Sequence, residues 1–214
     1  MSDEKIPDPK AIREAEKEGF IFSEDKKTLL DCRDKKIEKA VIPDGVTEIG
    51  KEAFAMCYNL TGIIIPDGVT EIGERAFWGC SALTGVHIPD GVTEIGESAF
   101  CGCSALTSVN IPDGVTEIGK EAFAMCYNLT GIIIPDSVTE IGGGAFAECT
   151  SLTGVEIPDS ITRIEYKAFY ECSALTRVVI PDSVTWIGED AFEGAGCEEQ
   201  VRRDYPRLFK QTEA

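Results

Sequence analysis

Histidine is almost absent from the sequence, since His87 is the only one among 214 residues. A Cys-x-x-Cys pair, a glycine-rich phosphate-binding loop and a serine–histidine–aspartate arrangement are missing as well. Zinc sites, nucleotide sites and hydrolase triads depend on those patterns. His87 next to an acidic residue would suit acid–base chemistry, but an exposed strand histidine is more often ordinary surface. The sequence therefore predicts neither an enzyme nor a cofactor or metal.

Long apolar segments are also absent. No run approaches the ~18 consecutive apolar residues that a membrane-spanning helix needs, so no membrane insertion is expected. The first five residues are polar and no apolar segment follows them, so we expect no signal peptide in this sequence.

Positive charge is scarce in most of the chain. The formal net charge is -18, and residues 42–194 carry six Lys or Arg against 23 Asp or Glu. A phosphate backbone or an anionic lipid surface attracts the opposite sign of charge. Nucleic acid and anionic membranes are therefore not expected as partners.

What the sequence does contain is a 23-residue unit that repeats seven times. Its Ile-Pro start recurs without insertion at Ile42, Ile65, Ile88, Ile111, Ile134, Ile157 and Ile180. Self-similarity at a fixed period of this size is typical of a solenoid. Residues 42–67 recur letter for letter at 111–136, which indicates an internal duplication, natural or engineered.

Three positions of the unit hardly vary, and we predict that they form the core. A phenylalanine column begins at Phe54, a cysteine column at Cys57 and a leucine column at Leu60, each recurring every 23 residues. One coil cannot bury its apolar face alone, so stacked coils build a continuous core.

Within each coil we expect two short strands and one helical turn. In the first repeat the strands are predicted at residues 60–65 and 46–50. The helical turn is predicted from Ala53, Phe54 and Cys57, whose spacing places them on one face of a helix.

The segment Leu60-x-x-Ile63-x-Ile65 resembles the strand of a leucine-rich repeat. Together with Pro-Asp-x-Val-Thr-x-Ile-Gly-x-x-Ala-Phe-x-x-Cys, it is similar to the BspA-type leucine-rich repeat family over residues 37–194. The resemblance implies an α/β repeat protein, a right-handed curved solenoid with a parallel sheet on its concave face. It also implies a relation to surface proteins of anaerobic bacteria and some protists, often linked to adhesion, and it brings no catalytic residue.

Both ends depart from the repeat and are predicted to be caps of one structural domain. Residues 1–41 are expected to form a helix and a hairpin continuous with the solenoid, residues 42–194 the seven repeats, and residues 195–214 a helical cap. Asp8-Pro9 is a helix start and Gly19 a helix stop.

The hairpin is expected between residues 20–22 and 28–30. The C-terminal helix is expected over residues 198–209, broken or kinked at Pro206. Its predicted inward side chains are Val201, Tyr205 and Leu208.

Two acidic columns run along the repeats. One consists of Asp44 and its six copies, and the other of Glu48, Glu71, Glu94, Glu117 and Glu140. One interpretation is functional: weak calcium sites or a surface for a basic partner. The other is that the aspartates form turns and the glutamates keep the protein soluble. A flat ladder offers few of the 6–8 converging oxygens that Ca²⁺ takes, which favours the second interpretation.

The cysteines of the column are expected to be buried free thiols, because their spacing places one sulfur per coil. Cys101 lies outside the column and is expected to be more exposed. Free thiols are typical of a reducing compartment, whereas the family resemblance favours the cell surface or secretion, so localisation stays open.

The candidate binding residues are those that vary on the predicted strand. Leu60, Ile63 and Ile65 are expected to point inward, so positions 62 and 64 should face solvent on the concave sheet. The predicted partner-binding residues are the copies of position 64: Val41, Ile64, His87, Asn110, Ile133, Glu156 and Val179. We therefore expect a monomeric protein-binding or adhesion module, and the alternative is a structural or engineered scaffold without a dedicated ligand.

Overall fold

Each 23-residue repeat forms one coil of a solenoid, as the repeat period predicts. The computed structural model describes residues 6–209 and has two helices and sixteen short strands in that range. The helices are α1 (Pro9–Lys17) and α2 (Glu198–Asp204). The strands are β1 (Phe20–Phe22), β2 (Thr28–Cys32), β3 (Lys39–Val41), β4 (Glu48–Ile49), β5 (Gly62–Ile64), β6 (Glu71–Ile72), β7 (Gly85–His87), β8 (Glu94–Ile95), β9 (Ser108–Asn110), β10 (Glu117–Ile118), β11 (Gly131–Ile133), β12 (Glu140–Ile141), β13 (Gly154–Glu156), β14 (Arg163–Ile164), β15 (Arg177–Val179) and β16 (Trp186–Ile187).

The three-residue strands from β3 onward belong to what we call the concave sheet, which consists of β3, β5, β7, β9, β11, β13 and β15. Paired strands are parallel and keep the register of the repeat, so Lys39 lies opposite Gly62 and Gly85 lies opposite Ser108. Hydrogen-bonded pairing divides the sheet into three groups, β3–β5, β7–β9–β11 and β13–β15. Its outermost strands, β3 and β15, carry Lys39 and Arg177 where the inner strands carry glycine or serine.

The other predicted strand of each coil is present but only two residues long, and these strands build what we call the second sheet. Strands β2, β4, β6, β8, β10 and β12 run parallel, with β1 antiparallel to β2 at one end, and β14 pairs with β16 separately. Threonine hydroxyls follow this stack: Thr70 donates to the carbonyl oxygen of Thr47 at 3.3 Å, and Thr116 to that of Thr93 at 3.2 Å. Backbone and side chains together therefore tie each coil to its neighbour.

The helical turn predicted through Ala53, Phe54 and Cys57 is wrong. Glu52 and Met56 have positive φ angles of 58° and 62°, and the equivalent residues of the other coils have positive φ angles too. A right-handed helix requires negative φ throughout. The N–H groups of Glu52, Phe54 and Met56 instead donate to carbonyl oxygens of the next coil at 2.7–2.9 Å. A run of turns, paired from coil to coil, produces the spacing that resembles a helical face.

The phenylalanine column lies at the centre of the core, as predicted. Neighbouring rings from Phe54 to Phe192 are stacked nearly parallel, with centroids 5.1–5.6 Å apart and interplanar angles of 2–11°. Phe20 of β1 closes the N-terminal end of the stack edge-on, 5.8 Å from Phe54. The leucine column from Leu60 to Leu175 is fully buried in the same cluster. One continuous core therefore runs through the described coils.

The cysteine column is buried and free of disulfide bonds, as predicted. The thiol of Cys126 donates to the carbonyl oxygen of Phe100 at 3.3 Å, and the other thiols from Cys80 to Cys172 make the equivalent bond at 3.1–3.3 Å. Burial raises the pKa of the Cys80 and Cys172 thiols to about 12. The column is therefore held in the protonated form, in which it donates.

The prediction that Cys101 is more exposed is wrong, because its side chain is buried at 3% exposure. Trp78, one coil earlier in the same column, lines the same surface pocket as Cys101, and Ala124 follows in the next coil. Where a small side chain lies next to a large one in such a column, the large side chain covers the small one. Burial also raises the pKa of the Cys101 thiol.

The N-terminal helix and hairpin occur where they were predicted. The Asp8 carboxylate caps α1 by accepting from the N–H of Lys10 at 2.9 Å, and Pro9 is the first helical residue. Gly19 follows the helix with a φ of 98°, which suits glycine as a helix stop. The predicted domain boundaries at 41/42 and 194/195 stay predictions.

The C-terminal helix α2 ends at Asp204, two residues before Pro206, as the proline predicts. Val201 is buried, and Tyr205 and Leu208 pack against the core while partly exposed. The carbonyl oxygen of Leu208 accepts from the N–H of Ile187, so the segment after the helix covers the last coil. Neither helix in the described part of the chain is long and apolar enough to cross a membrane.

Candidate interaction surface

The seven copies of position 64, which we call the concave column, are all exposed in the structure. Four of them are apolar: Val41, Ile64, Ile133 and Val179, with 56%, 63%, 76% and 44% of their surface exposed. His87, Asn110 and Glu156 are the polar members and are also exposed. The alternation predicted from the sequence is thus present, with the inward Ile63 only partly buried.

The concave sheet is interrupted at two places, and both are where glycine faces glycine across neighbouring coils. The first break lies between β5 and β7, at Gly62 and Gly85, and the second between β11 and β13, at Gly131 and Gly154. Where glycine faces another residue, as Gly85 faces Ser108, the ladder is intact. Glycine weakens a strand because it has no side chain to pack, which accounts for the position of the breaks.

Nothing inside the protein requires glycine at Gly62, Gly85 or Gly131. Their φ angles are not positive, and a Cβ added at any of them would meet no atom within 4 Å. Gly119 and Gly142, directly after strands β10 and β12 of the second sheet, differ because a Cβ there would lie 2.5–2.8 Å from backbone atoms of the preceding coil. The glycines of the second sheet allow coils to approach, whereas those of the concave sheet leave open space above the backbone.

A cleft of about 900 Å³ lies over the second break. Gly131 and Gly154 line its floor, and Ile133, Glu156 and Arg177 stand around it. Sequence reasoning missed this cleft, although the facing glycine pair was its signal. The cleft is the most definite concavity on the predicted binding face that the structure shows.

The aspartate column forms a rim beside the concave sheet. Its members from Asp67 to Asp182 are exposed, and Asp136 and Asp159 also line the cleft. The turn that they occupy is closed by a backbone hydrogen bond, for example from the N–H of Val69 to the carbonyl oxygen of Pro66 at 3.1 Å. We define the aspartate rim as the members whose carboxylates make no hydrogen bond or ion pair within residues 6–209: Asp67, Asp90, Asp113, Asp136, Asp159 and Asp182.

The glutamate column forms a ladder of like charges on the second sheet. Glu71 lies directly between Glu48 and Glu94, and Glu117 between Glu94 and Glu140. Partial burial, followed by the neighbouring glutamates, raises the pKa of Glu71 and of Glu117. Among residues 6–209, no three His, Cys, Asp or Glu side chains are grouped so that they could hold a metal ion.

Carboxylates on the opposite side of the coils are paired with cations in the early coils, whereas several acids of the last coils make no ion pair within residues 6–209. Lys51 pairs with Glu74 at 2.7 Å, and Arg75 lies 3.7 Å from both Glu52 and Glu74. Cations and acids alternate there, around the exposed Trp78. Unpaired negative charge therefore lies on the aspartate rim, on the glutamate ladder and on the last coils of the opposite side.

Comparison with known proteins agrees with this architecture. The model of the BspA type leucine rich repeat region matches residues 32–153 and 116–201, in six copies. The chain belongs to the BspA-type leucine-rich repeat family. The resemblance drawn from the repeat columns is thereby confirmed.

Several solved bacterial leucine-rich repeat proteins have the same fold. The leucine-rich repeat protein TpLRR of T. pallidum is 30% identical in sequence and superposes with a TM-score of 0.80. The match covers 90% of this chain and 93% of TpLRR. A leucine-rich repeat protein of Bacteroides ovatus is 34% identical over 83% of this chain, with a TM-score of 0.76. One of Eubacterium ventriosum is 29% identical over 83%, with a TM-score of 0.73.

The chain spans 48% and 50% of the length of those last two proteins. Among curated proteins, no sequence matches it.

Proposed function

We propose that this chain is a protein-binding or adhesion module that presents the concave column to another protein. The observation that carries the proposal is the row of exposed apolar side chains, which includes Ile133 and Ile64, on a sheet whose inward positions are buried except at the partly buried Ile63. Full burial of one such side chain against a partner is worth about 1.5–3 kcal/mol. The glycines at Gly62, Gly85 and Gly131 support it, because they weaken the strands without any packing need inside the protein.

The fold and the family favour binding over catalysis. The conserved columns of the repeat are core residues, and the varied positions lie on an exposed, extended face that repeat proteins use for binding. His87 is exposed on this face and has no partner among the described residues that would orient it for acid–base work. We expect it to contribute to a contact surface.

The test uses the duplicated segment as its own control. We expect Ile64→Asp combined with Ile133→Asp to abolish capture of a specific partner from bacterial or host lysate, while thermal stability stays nearly unchanged. The matched control is Tyr58→Asp with Tyr127→Asp, because these residues occupy the same two copies and are 47% and 40% exposed, outside the concave sheet. Binding that survives the isoleucine pair and is lost on changing the aspartate or glutamate columns would show that the acidic side is the site.

A second candidate function is that of a structural or engineered scaffold with no ligand of its own. The letter-for-letter identity of residues 42–67 and 111–136 favours it, because independent selection on a binding face tends to separate two copies. This function predicts that neither the wild type nor the Ile64→Asp, Ile133→Asp variant captures a specific partner from any lysate.

A further inference from the structure

We propose that the cleft over the second break of the concave sheet binds an extended polypeptide segment in which basic and apolar residues alternate. The inference rests on the proposed function and narrows it to one subsite and one class of partner. It depends on three features of the cleft: its unpaired carboxylates, its exposed apolar wall and its bare backbone floor.

The charge around the cleft favours a basic occupant. Asp136, Glu156 and Asp159 stand on its lining, and none of them makes a hydrogen bond or ion pair within the described residues. Arg177 is the only cation on the lining, so three carboxylates face one guanidinium. Charge complementarity of this kind steers an oppositely charged partner to a surface and selects against acidic ones.

The apolar wall favours an occupant with apolar side chains as well. Ile133 is 76% exposed and is the most exposed large apolar residue of the concave column. Ile64 has the same local sequence but stands beside the first break, where His87 replaces Glu156 as the next member of the column. Aspartates of the rim flank both breaks, and the second break adds the carboxylate of Glu156 beside its exposed isoleucine, where the first break has His87.

The floor favours an extended backbone rather than a folded surface. Gly131 has no atom within 4 Å of where its Cβ would stand, and at Gly154 a Cβ would be in ordinary contact with Arg177 at 3.5 Å. The main chain of β11 and β13 is therefore accessible from the concave side at the point where the two strands are not paired. A peptide in extended conformation alternates its side chains between two directions, so one set can enter the cleft while the other reaches the aspartate rim.

The experiment uses three fluorescein-labelled peptides of about ten residues, and reads binding as fluorescence anisotropy at about 50 and 300 mM salt. One alternates lysine and valine, the second glutamate and valine, and the third lysine and serine. We expect the lysine–valine peptide to bind most tightly, and its binding to weaken at the higher salt concentration. The glutamate–valine peptide should not bind detectably, since its charges repel the cleft.

Variants of the full chain then locate the site. Asp136→Asn with Asp159→Asn should weaken binding of the lysine–valine peptide about three- to tenfold, as expected for two exposed charge pairs. The matched control, Asp67→Asn with Asp90→Asn, removes the same charge elsewhere on the rim and should change binding less than about twofold. Gly131→Val fills the cleft and should weaken binding, whereas Gly62→Val, the same change in the duplicated segment, should not.

Three results would overturn the inference. The lysine–valine peptide does not bind, the two paired aspartate variants lose the same affinity for it, or the lysine–serine peptide binds as tightly as the lysine–valine peptide. Binding of the glutamate–valine peptide that Ile133→Asp abolishes would also overturn it, yet would leave the concave surface as the binding face. The proposed function fails separately, if binding of every partner survives the paired isoleucine change.

Discussion

Replacing Gly131 by valine should make the protein more stable, although the residue lies in the middle of the sheet. A Cβ at this position meets nothing within 4 Å, and the φ angle of Gly131 lies in the region that all residues adopt. Removing glycine from a compatible position gains about 0.4–1 kcal/mol by reducing the freedom of the unfolded chain. Valine also suits strands better than glycine does. We therefore expect the free energy of unfolding to rise by about 0.5–1 kcal/mol.

Urea denaturation followed by tryptophan fluorescence measures the change, because Trp78 and Trp186 report from different coils. Gly62→Val is the positive control, since its local sequence is identical and its Cβ also meets nothing within 4 Å. Gly119→Val is the negative control. Its Cβ would lie 2.7 Å from three backbone atoms of the preceding coil, and such overpacking costs roughly 1–3 kcal/mol.

The reasoning would be refuted if Gly131→Val lowered the stability, or if Gly119→Val were tolerated as well as Gly62→Val. Either result would mean that the spaces around these glycines do not decide which side chains the coils accept. A gain in stability at Gly131 would instead show that its glycine is not kept for folding.

Three further predictions concern the core and the glutamate ladder. Phe123→Ala should cost about 3–5 kcal/mol in urea denaturation, because its ring is fully buried between two stacked neighbours, and a loss under about 1 kcal/mol would contradict this. Thiol labelling without denaturant should modify none of the nine cysteines quickly, including Cys101, whereas fast reaction of several would show that the coils open readily. Glu71→Gln with Glu117→Gln should raise the stability at pH 7 by roughly 0.2–1 kcal/mol per relieved pair. Folding raises the pKa of these carboxyls, so the folded wild type binds protons more tightly than the unfolded chain does. Its stability relative to the variant should therefore increase as the pH falls from 7 towards 5. If that increase is not observed, the glutamates of the ladder do not repel one another.

The core could be predicted from the sequence because seven copies report on the same positions. Phe54, Cys57 and Leu60 and their copies hardly vary, and in a stack an invariant apolar position is one that contacts its own copy above and below. The exposure of position 64 followed from the period of two in a strand. Once the seven copies are aligned, the position within one coil is enough to predict these features.

The features that the sequence did not reveal depend on contacts between different coils. Positive φ occurs at residues as different as Glu52, Arg75 and Lys167, whose N–H groups donate to the next coil. These residue types have no shared preference for positive φ, so the sequence does not indicate it. The burial of Cys101 depends on Trp78 one coil earlier, and the cleft depends on glycine in two adjacent coils. Reading each coil separately misses all three.

The cations at the two ends of the concave sheet have a consequence for assembly. A sheet of identical, in-register strands is a template to which another copy can add, so that solenoids joined end to end would grow into a filament. If β3 of one molecule were to pair with β15 of another in the register of the repeat, Lys39 would lie directly opposite Arg177, since both occupy the same position of the unit. Like charges at that distance oppose pairing. The two cations at the ends of this column therefore stand where they oppose end-to-end polymerisation of the protein.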